Sequence, residues 1–143
     1  MGVRDQNLEA TGAVYLTFDI SQTAGVDDLK DSDIGKAMML ASGNRVKATT
    51  DGALLLGKLV ALTLTDADNG KRKATVQVAG VMTLGISATY PTIGNRITGA
   101  ASGKVKQAPV LTGYDPAGGN IARGLVLSVN GTNDCTLLPV CDR

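Results

Sequence analysis

The sequence lacks histidine and tryptophan altogether, and its aromatic side chains are limited to three tyrosines and one phenylalanine. Histidine is the usual general base and the commonest metal ligand, so any catalysis would have to rest on carboxylates, lysine or tyrosine. Proteins that bind single-stranded nucleic acid stack bases on several aromatic rings. We therefore expect no enzyme activity, no cofactor, no metal and no nucleic-acid partner, and we assign no catalytic, cofactor-binding or metal-binding residue.

Long apolar runs and an excess of one charge are also missing. Lysine and arginine total 14 against 13 aspartates and glutamates, and the longest basic run is Lys71-Arg72-Lys73. A membrane-spanning helix needs about 20 apolar residues, so no membrane partner is expected. The polar start, Met1 to Asn7, does not match a signal peptide. Cys135 and Cys141 would lie about 20 Å apart in an extended strand, so we expect two free thiols in a reducing compartment.

Residues 52–58 read Gly-Ala-Leu-Leu-Leu-Gly-Lys and match the first part of the phosphate-binding P-loop. A P-loop continues with a serine or threonine that holds Mg²⁺, and then with a helix. Here Leu59 follows the lysine, three leucines fill the loop, and the next residues are typical of a strand. We interpret Gly52 and Gly57 as glycines that bracket a short buried strand.

Glycine is abundant, with 18 residues spread along the chain between alternating strand formers. Turn signals occur at Asp51-Gly52, Asn69-Gly70, Gly118-Gly119 and Asn130-Gly131. The segment from Asp31 to Ala41 is equally compatible with a short helix and with a strand. The pattern as a whole predicts an all-β protein.

An imperfect internal repeat is the most informative feature of the sequence. We place its copies at about residues 34–85 and 93–140. The lysine that follows Gly57 has no counterpart after Gly124, which indicates that the backbone requires the glycine and that no phosphate site requires the lysine. The matching pairs are Ile34-Gly35-Lys36 with Ile93-Gly94-Asn95, Ala41–Lys47 with Ala101–Lys106 (allowing one deletion), Gly57–Leu62 with Gly124–Val129, and Thr75–Val78 with Thr136–Val140.

Two such copies fit either a closed barrel or a two-sheet sandwich that leaves few free edges. We predict a single β domain over residues 31–143 and an extended N-terminal arm over residues 1–30. Within the arm, residues 13–20 alternate like a strand, which can pair with its own sheet or lie on a neighbouring protein. The candidate partner contacts are Val14, Tyr15, Leu16, Phe18 and Ile20.

The repeated pattern resembles the small capsid decoration (cement, or head-stabilising) proteins of tailed bacteriophages, over roughly residues 30–140. The resemblance implies a compact β-barrel or β-tulip domain, often a homotrimer, that sits on the outer shell and clamps neighbouring major capsid proteins. It also implies a structural virion protein that is made in the host cytoplasm and contacts the shell partly through its arm. The residues that carry it are Ile34-Gly35, Ser42–Lys47, Gly57–Leu62, Gly80-Val81, Ile93–Ile97, Ser102–Val105 and Ala122–Leu127.

A second interpretation is a small β-barrel module that binds a carbohydrate or a peptide, which would need a concave face with clustered aromatic or polar groups. Under the first interpretation, we expect a truncation of residues 1–20 to leave the domain folded and to weaken shell binding. The role of the loop at residues 112–119 stays open.

Overall fold

The computed structural model describes residues 11–63, 71–109 and 124–139. These residues confirm the all-β prediction, because every regular element among them is a strand except for two 3₁₀ turns at Asp31–Asp33 and Ala101–Gly103. The strands are β1 (Val14–Ile20), β2 (Gln22–Thr23), β3 (Val26–Asp27), β4 (Ala37–Ser42), β5 (Arg45–Ala48), β6 (Gly57–Leu62), β7 (Lys73–Ala79), β8 (Met82–Gly85), β9 (Ile97–Ala100), β10 (Lys104–Gln107), β11 (Leu125–Asn130) and β12 (Asp134–Leu138).

Five of the first seven strands form a closed barrel in the order β1-β5-β4-β6-β7. Strand β1 closes it, since β1 runs antiparallel to β7 along its length and parallel to β5 at its C-terminal end. Strands β2 and β3 form a separate short hairpin. The alternatives of barrel and sandwich are therefore decided in favour of a barrel for this part of the chain.

The last five strands repeat pairings of the first barrel, but they form a three-stranded sheet (β11-β12-β8) and a two-stranded sheet (β10-β9). Strand β12 lies between β11 and β8, and β9 pairs with β10. The parallel contact of β1 with β5 has its counterpart in a parallel bridge between Ile86 and Val105. Ser21 N donates to Val46 O at 2.9 Å, and Ser87 N donates to Val105 O at the same distance. We call β1–β7 the first repeat and β8–β12 the second repeat.

The register places the repeats differently from the sequence alignment. Strand β8 pairs with the last strand of its repeat as β1 pairs with β7, so β8 opens the second copy rather than ending the first. The bulge in β6 also has a counterpart at the same position of β11. Lys36 and Val46 match Asn95 and Val105 at one constant offset, so the hairpins align without a deletion.

Each repeat has its own hydrophobic core, built from matching positions. Leu55 and Ala37 belong to the first repeat but are buried in the core of the second, so the second core includes side chains from both repeats. The matched core pairs are Phe18 with Leu84, Ile20 with Ile86, Met38 with Ile97, Val46 with Val105, Leu59 with Val126, Ala74 with Cys135, and Val76 with Leu137.

The predicted N-terminal arm requires a correction at its C-terminal part. Residues 14–20 form a barrel strand, because Phe18 and Ile20 point into the first core and are only 9% and 4% exposed. Residues 1–10 lie outside the described residues. A truncation through residue 20 would remove β1 and open the barrel, so the expectation that such a truncation leaves the domain folded does not hold for this fold.

The segment at residues 31–41, which the sequence left open between helix and strand, contains both a turn and a strand. Lys30 N donates to the Asp33 carboxylate at 2.8 Å, which holds a single 3₁₀ turn. Ile34 then adopts an extended ψ of 131° and ends the turn. Strand β4 follows because Ala37 and Met38 are fully buried and pair with β6.

The prediction of a short buried strand between Gly52 and Gly57 is wrong, because residues 52–56 form a loop in which Leu55 is buried and Leu54 is 51% exposed. Strand β6 begins only at Gly57. A Cβ atom at Gly57 would lie 2.0 Å from the carbonyl oxygen of Gln77 on β7. At the matching position Gly124, a Cβ atom would lie 3.2 Å from the carbonyl oxygen of Leu138. The glycine is therefore kept in both repeats because a neighbouring backbone approaches it closely.

Candidate partner-binding surface

Strand β1 carries the five residues that the sequence predicted as partner contacts, and the barrel separates them into two groups. Val14, Tyr15 and Leu16 are each 49% exposed, whereas Phe18 and Ile20 are buried in the first core. The predicted contact role therefore stays open only for the first three. Because side chains alternate along a strand, Leu16 lies on the inner face with Phe18, and Tyr15 lies on the outer face.

Within the described residues, the same half of β1 has a backbone edge that pairs with no other strand. Asp19 N donates to Asn44 O on the β5 side at 2.9 Å, so the alternate residues Thr17 and Tyr15 direct their N–H and C=O groups to that side as well. The ladder with β5 covers only Asp19 and Ile20. Among residues 11–63, 71–109 and 124–139, no strand pairs with the edge at Tyr15 and Thr17.

The second repeat shows that this exposure is particular to the first repeat. Leu16 corresponds to Met82, since Leu16 pairs with Val76 and Met82 pairs with Leu137 in matching registers. Met82 is completely buried, and it packs in a core cluster that includes Leu55. The fold can thus bury the side chain at this position, as it does for Met82, but Leu16 in the first repeat is half exposed.

A charged cleft of about 170 Å³ lies at the C-terminal end of β1. Lys73 donates to the Asp19 carboxylate, and this hydrogen bond is the main reason that the pKa of Asp19 lies below its ordinary value of 3.8. The Arg72 guanidinium donates to Asp31 at 2.7 Å. The cleft is lined by Asp19, Ile20, Gln22, Asp27, Arg45, Lys71, Arg72 and Lys73.

In the part of the chain that the structure describes, no three carboxylates or cysteines come together in a group that could hold a metal ion. Cys135 is fully buried, and desolvation raises its pKa to about 12, so its thiol stays neutral and unreactive. The N-terminal half of β1 thus presents an apolar strip, formed by Val14, Tyr15 and Leu16, and a backbone edge that no described strand pairs with. The charged cleft lies at the C-terminal end of the same strand.

Comparisons with protein-family models, with curated proteins and with solved structures find no match to this chain. The described residues contain no helix that is long and apolar enough to cross a membrane. The proposals below therefore rest on the contacts and exposures of the chain itself.

Sequence reasoning missed a second exposed apolar feature on the first repeat. Leu40 and Leu54 are 50% and 51% exposed and line a groove of about 180 Å³ together with Met39 and Leu56. Leu54 lies in the stretch that the sequence predicted as a short buried strand, and Leu40 lies in the segment that the sequence left open between helix and strand. Only the structure shows that both side chains are half exposed.

Proposed function

We propose that this chain is a structural virion protein that binds the outer surface of a phage capsid and stabilises the shell by clamping neighbouring major capsid proteins. In this proposal it acts as a homotrimer, and it is made in the host cytoplasm before it joins the virion. The observation that carries the proposal is the exposed half of β1, where Val14, Tyr15 and Leu16 are displayed beside an open strand edge.

The mechanism needs no chemistry beyond contact. An extended segment of a capsid subunit would add to β1 by backbone hydrogen bonds to Tyr15 and Thr17, while apolar contacts form at Leu16. A partner that binds only the assembled shell stabilises the shell by an amount that grows as ln(1 + c/Kd), where c is the free concentration of the partner and Kd its dissociation constant. Many identical sites on one shell, and several chains in one oligomer, would raise the overall affinity through avidity.

Co-sedimentation with expanded, DNA-free shells tests the proposal. The shells are assembled from the major capsid protein of the genome that encodes this chain, and binding is compared with binding to unassembled subunits. We expect the chain to pellet with shells and to raise their melting temperature. An intact, folded chain that fails to pellet with expanded shells at any concentration would contradict the function.

Two variants test the surface separately from the function. Thr17→Pro removes an N–H that points to the open edge, and Tyr15→Lys places a charge on the apolar strip. Each is expected to weaken shell binding at least about tenfold, which corresponds to 1.4 kcal/mol. The control Ile93→Lys alters a residue that is 71% exposed on the second repeat and should bind normally. If Thr17→Pro and Tyr15→Lys bind shells as well as the control does, the shell contact does not lie on β1.

The open edge of β1 also supports the second interpretation, a small module that binds a peptide. Strand addition recognises an extended backbone from any protein, whether or not that protein is part of a shell. The comparison with unassembled subunits separates the two functions. A peptide module would bind free subunits, or peptides from them, as tightly as the assembled shell.

A further inference from the structure

A row of three charged side chains crosses the outer face of the barrel where the open edge of β1 ends. Asp19 pairs with Arg45 on β5 and with Lys73 on β7, so the three residues lie side by side on adjacent strands. All three side chains point outward, because the next residue of each strand is buried in the first core. Tyr15 and Thr17 lie on the same outer face of β1, two and four residues before Asp19.

The carboxylates of the charged cleft already have donors from within the chain. Asp19 accepts a hydrogen bond from Lys73, and Asp27 accepts one from the side-chain amide of Gln22 at 2.9 Å. Lysine and arginine supply four of the residues that line the cleft, whereas aspartate supplies two. The lining residues therefore carry an excess of positive charge, which favours an anionic group of a partner.

The two arginines of the cleft differ in how far their donors are used. Arg72 is held in place, since its Nε donates to Thr63 O at 2.6 Å and a terminal nitrogen donates to Asp31 at 2.7 Å. The exposed Arg45 guanidinium makes no hydrogen bond or ion pair with the residues that the structure describes. A guanidinium presents five N–H donors in a planar fork that matches a carboxylate. Arg45 is thus the group of the cleft best placed to bind an incoming carboxylate.

Arg45 also lies at the end of the open edge of β1. Strand β5 occupies that side of β1 only from Asp19 onward, so a segment that adds at Tyr15 and Thr17 would lie in line with β5 and end beside Arg45. The incoming residue opposite Thr17 would lie two positions from Arg45, or about 7 Å, and on the same outer face. Long side chains span such a distance.

We infer that the segment that adds to β1 carries a glutamate or aspartate opposite Thr17, and that Arg45 binds its carboxylate. The inference rests on the strand addition of the proposed function and names the chemistry of the partner. That partner is an extended segment with apolar residues on the inner side, next to Leu16, and an acidic residue on the outer side. The cleft of about 170 Å³ is smaller than the roughly 300 Å³ of a typical small-molecule site, so it suits one acidic group of a larger partner.

Two capped peptides test the inference without a capsid, so it and the proposed function can fail separately. The first is acetyl-Glu-Val-Thr-Val-Glu-amide, which places a glutamate opposite Thr17 in either strand direction, and the second has glutamine in both glutamate positions. Affinities are measured at low salt from the shifts of the Tyr15 and Thr17 amide signals in nuclear magnetic resonance titrations. We expect the wild-type chain to bind the glutamate peptide at least about threefold more tightly, as for an exposed ion pair. Arg45→Gln should bind both peptides equally.

Lys104→Gln is the matched control, because Lys104 precedes Val105 as Arg45 precedes its counterpart Val46, and it should keep the preference for glutamate. The preference should also shrink towards about 1 M salt, where the Debye length is about 3 Å. Inorganic phosphate, titrated separately, distinguishes a free anion from an acidic segment. A wild-type chain that binds both peptides equally or neither of them, a preference that survives in Arg45→Gln, or phosphate that binds more tightly than the glutamate peptide would each overturn the inference.

Discussion

Gly57 is the first residue of β6, Gly124 immediately precedes the matching strand β11, and each faces a carbonyl oxygen of the neighbouring strand. At Gly57 even a methyl group would lie 2.0 Å from Gln77 O, far inside the contact distance. The Gln77 backbone cannot retreat easily, because Gln77 pairs with Lys58 on one side and with Tyr15 on the other. The requirement comes from the closed barrel, in which β7 has a partner on each side.

Gly57→Ala is therefore expected to lower the free energy of unfolding by about 3 kcal/mol, since the added methyl group forces β6 and β7 apart. The measurement is urea denaturation followed by circular dichroism. Gly43→Ala is the matched control, because nothing lies within 4 Å of the position of its Cβ atom, and it should change stability by less than about 0.5 kcal/mol. Equal effects of the two substitutions would contradict the close approach.

Cys135 offers a test of burial at a single atom. Burial raises the pKa of its thiol to about 12, so the thiolate that reacts with disulfide reagents is almost absent at pH 8. In a Cys141→Ser background, the folded chain should react with such a reagent only as fast as it unfolds. After denaturation one thiol per chain should react at once. Rapid reaction of the folded protein would show that β12 is accessible.

At the scale of the element, β1 is the strand whose role changes most between sequence and structure. The alternation of apolar and polar residues in β1 was visible in the sequence. The strand with which β1 pairs was not, because pairing with β7 joins residues about 60 positions apart. The first half of β1 is exposed and its second half belongs to the core. The predicted contact surface thus shrinks from five residues to Val14, Tyr15 and Leu16.

Two truncations separate these roles. Removal of residues 1–10 leaves β1 intact and should preserve the circular dichroism spectrum and cooperative unfolding. Removal of residues 1–20 deletes Phe18 and Ile20 from the first core and opens the barrel, so that chain is expected to be unfolded or aggregated. The check is a thermal melt of both chains. A cooperative melt of the shorter chain would show that the barrel does not need β1.

For the whole molecule, the decisive contact is the crossing of Leu55 from the first repeat into the core of the second. Leu55 is fully buried there, while its neighbour Leu54 is half exposed. The same loop covers the edge of β9 through Gly52 and Ala53. The two repeats are thereby joined through packing and through backbone hydrogen bonds, and we expect them to unfold together.

Leu55→Ala should lower the free energy of unfolding by about 2–5 kcal/mol through the cavity that it leaves. Leu54→Ala should change it by less than about 0.5 kcal/mol. Both variants should still unfold in a single transition. Amide exchange in β7 and in β12 reports on the first and the second repeat separately, so the two strands should lose protection together. Separate transitions for β7 and β12 would mean that the repeats fold independently.

The sequence by itself determined the strand class, the duplication and the glycines at Gly57 and Gly124, because each of these is written in local pattern or in the likeness of two segments. It also identified residues 13–20 as an alternating strand, although not which half of that strand is exposed. It could not determine that β1 closes the first barrel, that Leu55 fills the second core, or that Leu40 is exposed while its counterpart in β9 is covered. Those outcomes depend on which distant strands meet and which edges remain uncovered, and only the tertiary structure decides them.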